Sequence, residues 1–265
     1  MQEVKKLTLA DIRNKRAFIC DMDGVIYHGN RLIPGAKKFV DWLYENGKDF
    51  LFLTNSSERS PKELAQKLAR LGLNVSEDHF YTSALATASF IAGQCPGGSV
   101  YAIGEPGLTN ALYEAGLSMN DINPDYVVLG ETRSLNYEKI EKAVQLVFGG
   151  AKLIGTNTDV TAPSEKGIIP ACRALMAPIE LTTGKQAYYV GKPNPLMMRH
   201  ARNKLGYHRA EVAIIGDRMD TDIVAGVETE IDTVLVLSGV TDTETMNKFA
   251  YSPSIVLSDV GEIAE

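Results

Sequence analysis

Two aspartates one residue apart, Asp21 and Asp23, end a short apolar run and are followed by Gly24. Strand side chains alternate between two faces, so both carboxylates would point the same way if the strand continued, and the glycine allows a sharp turn. At about 4 Å and an effective dielectric near 20, two like charges repel by roughly 4 kcal/mol. The pair therefore needs a cation, a shared proton or contact with water, and the first two describe active sites.

An isolated Asp-x-Asp-Gly segment is more often an ordinary solvated loop than a site, so the pair needs support from elsewhere in the chain. A calcium-binding EF-hand loop starting at Asp21 would need Asp or Asn at its fifth position and Glu at its twelfth. The chain has Val25 and Leu32 at those positions, which excludes an EF-hand.

Polar side chains also follow other apolar runs, and one lysine precedes a later helix. These residues are Thr54 and Asn55 after the run 49–53, Asp217 and Asp222 after the run 212–215, and Lys192. In an open parallel sheet the ligand crevice lies outside the carboxyl ends of the strands, so residues far apart in sequence can meet there. Several carboxylates with one lysine need a cation, and hard oxygen ligands suit Mg²⁺. A phosphate would complete the charge balance.

The elements that must position these residues alternate between strand and helix. Apolar runs typical of strands covered on both faces are followed by amphipathic helices, such as 137–148 and the helix opened by the capping box Ser60-Pro61-Lys62-Glu63. This alternation predicts an α/β fold with a Rossmann-like parallel sheet. We predict that residues 1–84 together with 186–265 form this core. Residues 85–185 would form a smaller inserted α/β cap. The reason is that the candidate site residues lie before this segment, after the first strands, and appear again only after it.

Composition limits the classes of partner. A formal net charge of -6, without a long basic run, argues against a nucleic-acid surface. No run approaches the roughly 20 apolar residues of a membrane span, and residues 1–10 lack the apolar segment of a signal peptide. Three widely spaced cysteines are typical of a reducing compartment. We therefore expect a cytoplasmic protein that binds neither nucleic acid nor membrane. Its oligomeric state stays open, with a homodimer among the alternatives.

Four motifs, taken in chain order, resemble those of the haloacid dehalogenase (HAD) superfamily phosphatases. The resemblance is to the NagD-like or 4-nitrophenylphosphatase group, which carries an α/β (type C2) cap. The motifs are Asp21-Met22-Asp23-Gly24, Leu53-Thr54-Asn55-Ser56, Gly191-Lys192-Pro193 and the segment from Gly216 to Asp222. The four together, with an insertion between the second and third, are far more specific than any one alone, and they cover essentially the whole chain.

The resemblance implies a Mg²⁺-dependent phosphatase that hydrolyses small phosphate monoesters, such as nucleotide monophosphates or sugar phosphates, through an aspartyl phosphate. Asp21 would be the nucleophile, and Asp23 would be the general acid and base whose backbone carbonyl also binds the metal. Asp21 and Asp217 would supply carboxylate ligands. Asp222 would hold Lys192 or a metal-bound water.

The resemblance also implies a binding set for the substrate. Thr54, the backbone of Asn55, and Lys192 would bind the phosphate oxygens, which is the positioning that phosphoryl transfer requires. Asn157 and Asp159 in the cap would face the substrate, although an Asx-rich turn after a strand explains them nearly as well.

Two other functions remain open at this point. A dehalogenase is the enzymatic alternative, but cleavage of a carbon–halogen bond needs neither the metal nor an acid at Asp23. A non-catalytic protein that binds a phosphorylated metabolite in the same pocket is the alternative from another class, and intact Asp21 and Asp23 argue against it.

Overall fold

The computed structural model describes residues 7–164 and 167–265, over which strands and helices alternate. The strands are β1 (Ala17–Cys20), β2 (Tyr27–His28), β3 (Arg31–Leu32), β4 (Asp49–Thr54), β5 (Phe80–Thr82), β6 (Ser99–Ile103), β7 (Ser118–Met119), β8 (Tyr126–Leu129), β9 (Lys152–Gly155), β10 (Thr161–Ser164), β11 (Gly167–Pro170), β12 (Tyr188–Tyr189), β13 (Val212–Gly216), β14 (Asp232–Val236) and β15 (Ile255–Leu257). The helices are α1 (Leu9–Arg13), α2 (Ala36–Glu45), α3 (Pro61–Arg70), α4 (Ser83–Gln94), α5 (Pro106–Glu114), α6 (Tyr137–Phe148), α7 (Cys172–Thr183), α8 (Pro195–Leu205), α9 (Val224–Glu228) and α10 (Thr243–Met246).

The described residues divide into two compact units. The first contains the residues up to Thr54, together with Ala65–Phe80 and Met198–Glu265. The second contains Asn55–Leu64 and Tyr81–Met197. The predicted insertion, 85–185, lies within the second unit, which includes further residues on both sides. Its role as a cap stays a prediction.

A six-stranded sheet with the order β15-β14-β13-β1-β4-β5 forms the centre of the first unit. Strand β1 runs parallel to both neighbours, with Cys20 opposite Ile215 on β13 and Phe52 on β4. All four residues of β1 are buried, as expected for a parallel strand that is covered on both faces. The α/β class and the parallel sheet predicted from the sequence are confirmed.

Aromatic packing holds β1 against helix α2. The Phe18 ring lies edge-on to Phe39 and Trp42, with centroid distances of 6.1 and 5.8 Å. Such pairs add about 0.5–1.5 kcal/mol to the effect of burying the rings. The strand that leads to Asp21 is therefore fixed by its neighbours in the sheet and by a helix above it.

The second unit contains a five-stranded sheet with the order β12-β9-β8-β6-β7 and a separate antiparallel pair, β10-β11. Helices α6 and α7 share an apolar cluster with the sheet, and this cluster includes Leu129 of β8, Leu146 of α6 and Met176 of α7. None of the helices in the described ranges is long and apolar enough to cross a membrane.

Some elements do not follow the sequence pattern. Helix α7 contains Pro178, which removes a backbone donor and normally argues against a helix interior. Helix α4 is rich in small residues and buried on several sides, so its sequence shows only a weak alternation of apolar and polar residues at the helical period. Strands β2 and β3 form a short antiparallel pair joined by a turn at Gly29 and Asn30.

Candidate active site

Three buried carboxylates, those of Asp21, Asp217 and Asp222, gather at the carboxyl ends of β1 and β13. One oxygen of each lies within 4.8 Å of the others, and the residues are only 9%, 2% and 0% exposed. The N–H of Asp21 donates to Ile215 O at 2.8 Å, which continues the pairing of the two strands. Charges of one sign at this spacing repel strongly away from water, so the cluster suits a divalent cation with oxygen ligands. The prediction that these strand ends meet is confirmed, and Asp222 belongs to the same cluster.

Glycines make room for the carboxylates. A Cβ atom on Gly239 would lie 2.0 Å from Oδ2 of Asp217, and one on Gly24 would lie 2.4 Å from the same oxygen. A Cβ on Gly216 would lie 2.1 Å from Cβ of Asp222. Gly24 also has φ +79°, a conformation that other residues rarely adopt. Three glycines thus allow the backbone to approach the acidic cluster closely.

The loop that follows β14 holds Asp217. The N–H of Thr241 donates to Asp217 O at 3.1 Å, and the hydroxyl of Thr241 accepts from the N–H of Met219 at 3.3 Å. Ser238 Oγ donates to Gly24 O at 2.7 Å. Sequence reasoning missed this loop, although Ser238-Gly239 just after a buried strand is a usable signal for a polar strand end.

Asp23 lies outside the carboxylate cluster of the described residues. Strand β1 ends at Cys20, and the chain then turns, with the N–H of Ile26 donating to Met22 O at 2.9 Å. The strand therefore does not continue to Asp23, and the alternation argument does not apply to its side chain. The turn leaves Asp23 partly exposed.

The side chain of Asn55, one residue after β4 and Thr54, is fixed by two acceptors. Its Nδ2 donates to Oδ2 of Asp159 and to the carbonyl of Lys192, both at 3.0 Å. Two acceptors on one nitrogen determine which way the amide faces. Asp159, predicted to face the substrate, thus contacts the Asn55 side chain. Lys192, whose carbonyl is the other acceptor, is only 2% exposed.

The close approach of Gly191 explains why Lys192 reaches Asn55. A Cβ on Gly191 would lie 2.8 Å from Oδ1 of Asn55 and 2.6 Å from the carbonyl of Thr156. The N–H of Gly191 donates to that carbonyl at 2.7 Å. A larger residue at position 191 would push the lysine segment away from Asn55.

The carbonyl of Asn55 also has two partners. It accepts from Nδ2 of Asn157 at 2.7 Å and from Oγ of Ser83. Asn157 is 0% exposed and accepts from the N–H of Asp159 at 3.0 Å through its Oδ1. The observed partners of Asn157 are therefore protein groups, and its predicted contact with substrate stays a prediction.

A glutamate that the sequence analysis missed, Glu131, completes this network. Its carboxylate accepts from the N–H of Ser57 at 3.1 Å, from the Ser57 hydroxyl and from Nδ2 of Asn157. Burial raises the pKa of Glu131, although the bonds from Ser57 and Asn157 act in the opposite direction. An acid just after a strand, as Glu131 is after β8, looks like a solvated loop residue in the sequence, so no signal identified it.

Comparison with known proteins matches two family models to the chain. Residues 18–118 match a family described as haloacid dehalogenase-like hydrolase, and residues 189–263 match a second HAD-hydrolase-like family. A dihydroxyacetone phosphatase of Corynebacterium glutamicum is 43% identical over 94% of this chain and 90% of the relative. The ribonucleotide monophosphatase NagD of Escherichia coli is 42% identical over 92% of this chain and 96% of its own. The crystal structure of a 4-nitrophenylphosphatase from Thermotoga maritima aligns with a TM-score of 0.92 at 34% identity, covering 96% of this chain and 98% of that one.

Proposed function

Because the chain belongs to the haloacid dehalogenase-like hydrolases, we propose that it is a Mg²⁺-dependent phosphatase acting on small phosphate monoesters. The buried cluster of Asp21, Asp217 and Asp222 is the observation that carries this proposal. The relatives named above are phosphatases, and their names span a sugar phosphate, ribonucleotides and a nitrophenyl ester. The proposed substrates are therefore small phosphorylated metabolites, with 4-nitrophenyl phosphate as a convenient surrogate.

The donor set fits Mg²⁺, which prefers hard oxygen ligands and needs few of them from the protein. The carboxylates of Asp21 and Asp217 and the carbonyl of Asp23 would hold the ion, with Asp222 beside them in the cluster. When bound, the ion neutralises the carboxylates and stabilises negative charge on the phosphoryl group.

The proposed chemistry uses Asp21 and Asp23 in turn. The carboxylate of Asp21 attacks phosphorus, and the bond to the ester oxygen breaks while Asp23 gives that oxygen a proton. Asp23 then takes a proton from a water that attacks the aspartyl phosphate, which releases inorganic phosphate and restores Asp21. The turn around Asp23 leaves its side chain partly exposed, which supports proton exchange with solvent.

Thr54, the backbone of Asn55, and Lys192 would bind the phosphate oxygens. A buried lysine is costly unless it meets negative charge, and Lys192 is only 2% exposed. Its carbonyl is tied to Asn55, so the lysine and the asparagine are held in one arrangement before any ligand arrives. Such preorganisation is the main contribution a protein makes to phosphoryl transfer.

Hydrolysis of 4-nitrophenyl phosphate by the purified chain tests the proposal. We expect turnover with Mg²⁺, none with EDTA, and a loss of more than about a hundredfold in Asp21→Asn, or about 2.7 kcal/mol of barrier. Asp220→Asn is the matched control, because Asp220 is an exposed neighbour that pairs with Arg218 at 2.7 Å and lies outside the cluster. Binding of phosphorylated metabolites without any turnover would favour the non-catalytic alternative instead.

We also propose the cytoplasm as the compartment, because the three cysteines, Cys20, Cys95 and Cys172, form no disulfide. A screen of phosphorylated metabolites with Mg²⁺ present would identify the substrate.

A further inference from the structure

Lys192 lies in a tight turn whose two ends are bonded to each other. The N–H of Asn194 donates to the carbonyl of Gly191 at 2.9 Å, which closes a turn of four residues with Lys192 as the second. The carbonyl of Lys192 itself accepts from Nδ2 of Asn55 at 3.0 Å. The backbone that carries the lysine side chain is therefore held by a bond across the turn and by a bond to Asn55.

The side chain of Asn194 joins this turn to the elements on both sides of it. Its Nδ2 donates to the carbonyl of Tyr189 at 2.7 Å and to the hydroxyl of Tyr188 at 2.9 Å, both in β12. Its Oδ1 accepts from the N–H of Leu196 at 2.9 Å, in the first turn of α8. One side chain thus connects the strand before Lys192 with the helix after it.

The chemistry of the partners fixes which way the Asn194 amide faces. The Tyr189 carbonyl can only accept and the Leu196 N–H can only donate, so a reversed amide would lose both bonds. Both hydrogens of Nδ2 are then used. A serine can also bond the Leu196 N–H, as serine does at many helix starts, but it is too short to supply donors to β12 as well.

Strand β12, which accepts these bonds, is fixed by its own neighbours. Tyr189 pairs with Gly155 on β9 in the parallel register of the sheet. The ring of Tyr188 lies 5.0 Å from the ring of Phe90 on α4, centroid to centroid. Because β12 is held in this way, the bonds from Asn194 fix the end of the lysine turn relative to the sheet.

We propose that Asn194 is a positioning residue that sets where Lys192 meets the phosphate. A lysine is a point charge on a flexible four-carbon stem, so its placement depends on where its backbone is held. The two donors of Asn194 hold that backbone against β12. This inference rests on the proposed function, in which Lys192 binds the phosphoryl group, and phosphoryl transfer depends chiefly on such positioning of charge.

Asn194→Ser tests the proposal by separating the two halves of the contact. Serine caps a helix about as well as asparagine, so the bond to the Leu196 N–H is kept while the bonds to β12 are lost. Asn194→Ala removes both. Asn136→Ser is the matched control, because the Asn136 side chain also caps a helix, α6, by accepting from the N–H of Lys139 at 2.9 Å.

The main measurement is the Kd of inorganic phosphate by calorimetry with Mg²⁺ present, alongside kcat, KM, Mg²⁺ affinity and Tm. We expect Asn194→Ser to raise the phosphate Kd and KM about fivefold, within the range of one lost hydrogen bond between neutral groups. Asn194→Ala should raise the phosphate Kd equally but have the lower Tm, since it alone loses the cap. Mg²⁺ affinity should stay within about twofold of the parent, and Asn136→Ser should keep the parental phosphate Kd.

A double-mutant cycle with Lys192→Met tests whether Asn194 acts through the lysine. Methionine removes the charge and keeps a similar length. In this background Asn194→Ser should change the phosphate Kd by less than about twofold, because the effects of residues that act through one another do not add. A parental phosphate Kd in Lys192→Met would contradict the proposed role of Lys192, and absence of turnover in the parent protein would contradict the proposed function.

The inference itself is overturned if Asn194→Ser keeps the parental phosphate Kd while Lys192→Met binds phosphate more weakly. It is also overturned if only Asn194→Ala loses affinity, since the cap of α8 would then be what matters. An equal loss from Asn194→Ser with and without Lys192 would overturn it as well. If Asn194→Ser does not fold, Asn194→Thr replaces it with the same expectations, because threonine also carries a capping hydroxyl.

Discussion

The backbone N–H of Val240 donates a 2.7 Å hydrogen bond to Oδ2 of Asp217. The next N–H, that of Thr241, bonds the main-chain oxygen of Asp217 at 3.1 Å. Two consecutive donors therefore hold one aspartate at its side chain and at its backbone. This loop after β14 contributes no charged side chain to the acidic cluster, yet it fixes the direction in which Asp217 offers its carboxylate.

Gly239→Ala should weaken Mg²⁺ binding by about tenfold or more. The added Cβ would lie 2.0 Å from Oδ2 of Asp217, so the carboxylate or the loop must move, and a displaced ligand commonly costs 10- to 100-fold in metal affinity, roughly. Isothermal titration with Mg²⁺ measures the change. Gly93→Ala is the control, because that glycine is exposed in α4 with nothing within 4 Å of its Cβ position, and parental affinity is expected. Parental affinity in Gly239→Ala as well would contradict the prediction.

Thr241→Val should lower the stability of the protein and weaken its binding of Mg²⁺. The substitution keeps the volume but removes the acceptor for the Met219 N–H, which is buried near Asp217. A buried donor left without a partner costs about 1–3 kcal/mol. Urea unfolding gives the stability, and Mg²⁺ titration gives the affinity. Thr241→Ser keeps the hydroxyl and should retain most of both, and a smaller loss in Thr241→Val than in Thr241→Ser would contradict the prediction.

Mg²⁺ should raise the Tm of the parent protein. In metal-free buffer, Asp21→Asn should have a higher Tm than the parent. Both changes relieve repulsion among the three buried carboxylates in the folded state. A ligand that binds only the folded state at a hundred times its Kd adds about 2.7 kcal/mol. Thermal scans with EDTA and with Mg²⁺ test both parts. If Asp21→Asn has a lower Tm than the parent in EDTA, repulsion among the three carboxylates does not limit the stability of the folded protein.

Glu131 should make the protein less stable as the pH rises above the ordinary glutamate pKa. Burial raises the pKa of Glu131 in the folded state from 4.5, so the folded protein binds more protons than the unfolded chain between the two values. Its contribution to stability is then fully present below about 4.5 and is lost as the pH rises through the folded pKa.

The difference in unfolding free energy between Glu131→Gln and the parent measures this effect. It should shift in favour of the glutamine variant between pH 4.5 and neutrality, because the glutamine does not titrate. A difference that is constant over this range would mean that the bonds from Ser57 and Asn157 balance burial, and one that shifts the other way would mean that they outweigh it.

Sequence patterns identified the parts of the site that depend on strand order and on chemically distinctive residues. Asp21 and Asp217 end apolar runs, and parallel strands bring such ends to one edge of the sheet. The prediction of a helix over 137–148 agrees with α6 to the residue, because its cap, Asn136, and its apolar periodicity indicate the same limits.

The parts that sequence reasoning missed depend on backbone groups and on approach between distant segments. The donor from Val240 to Asp217 is an N–H, which every residue except proline carries, so no residue type marks it. Glu131 acquires its importance only because Ser57, 74 residues earlier, packs against it. Neither relationship has a pattern that can be read along a single chain.

The position of β1 inside the first sheet has a consequence for the order of synthesis. Its partner β4 leaves the ribosome soon after it, but β13 follows about 200 residues later. At roughly 5–20 residues per second, one edge of β1 stays uncovered for about 10–40 s, and such an edge can pair with other chains. Residues 81–197 are complete by then and can fold first. A released fragment of residues 1–211 should therefore protect the second unit from protease while β1 is still cleaved.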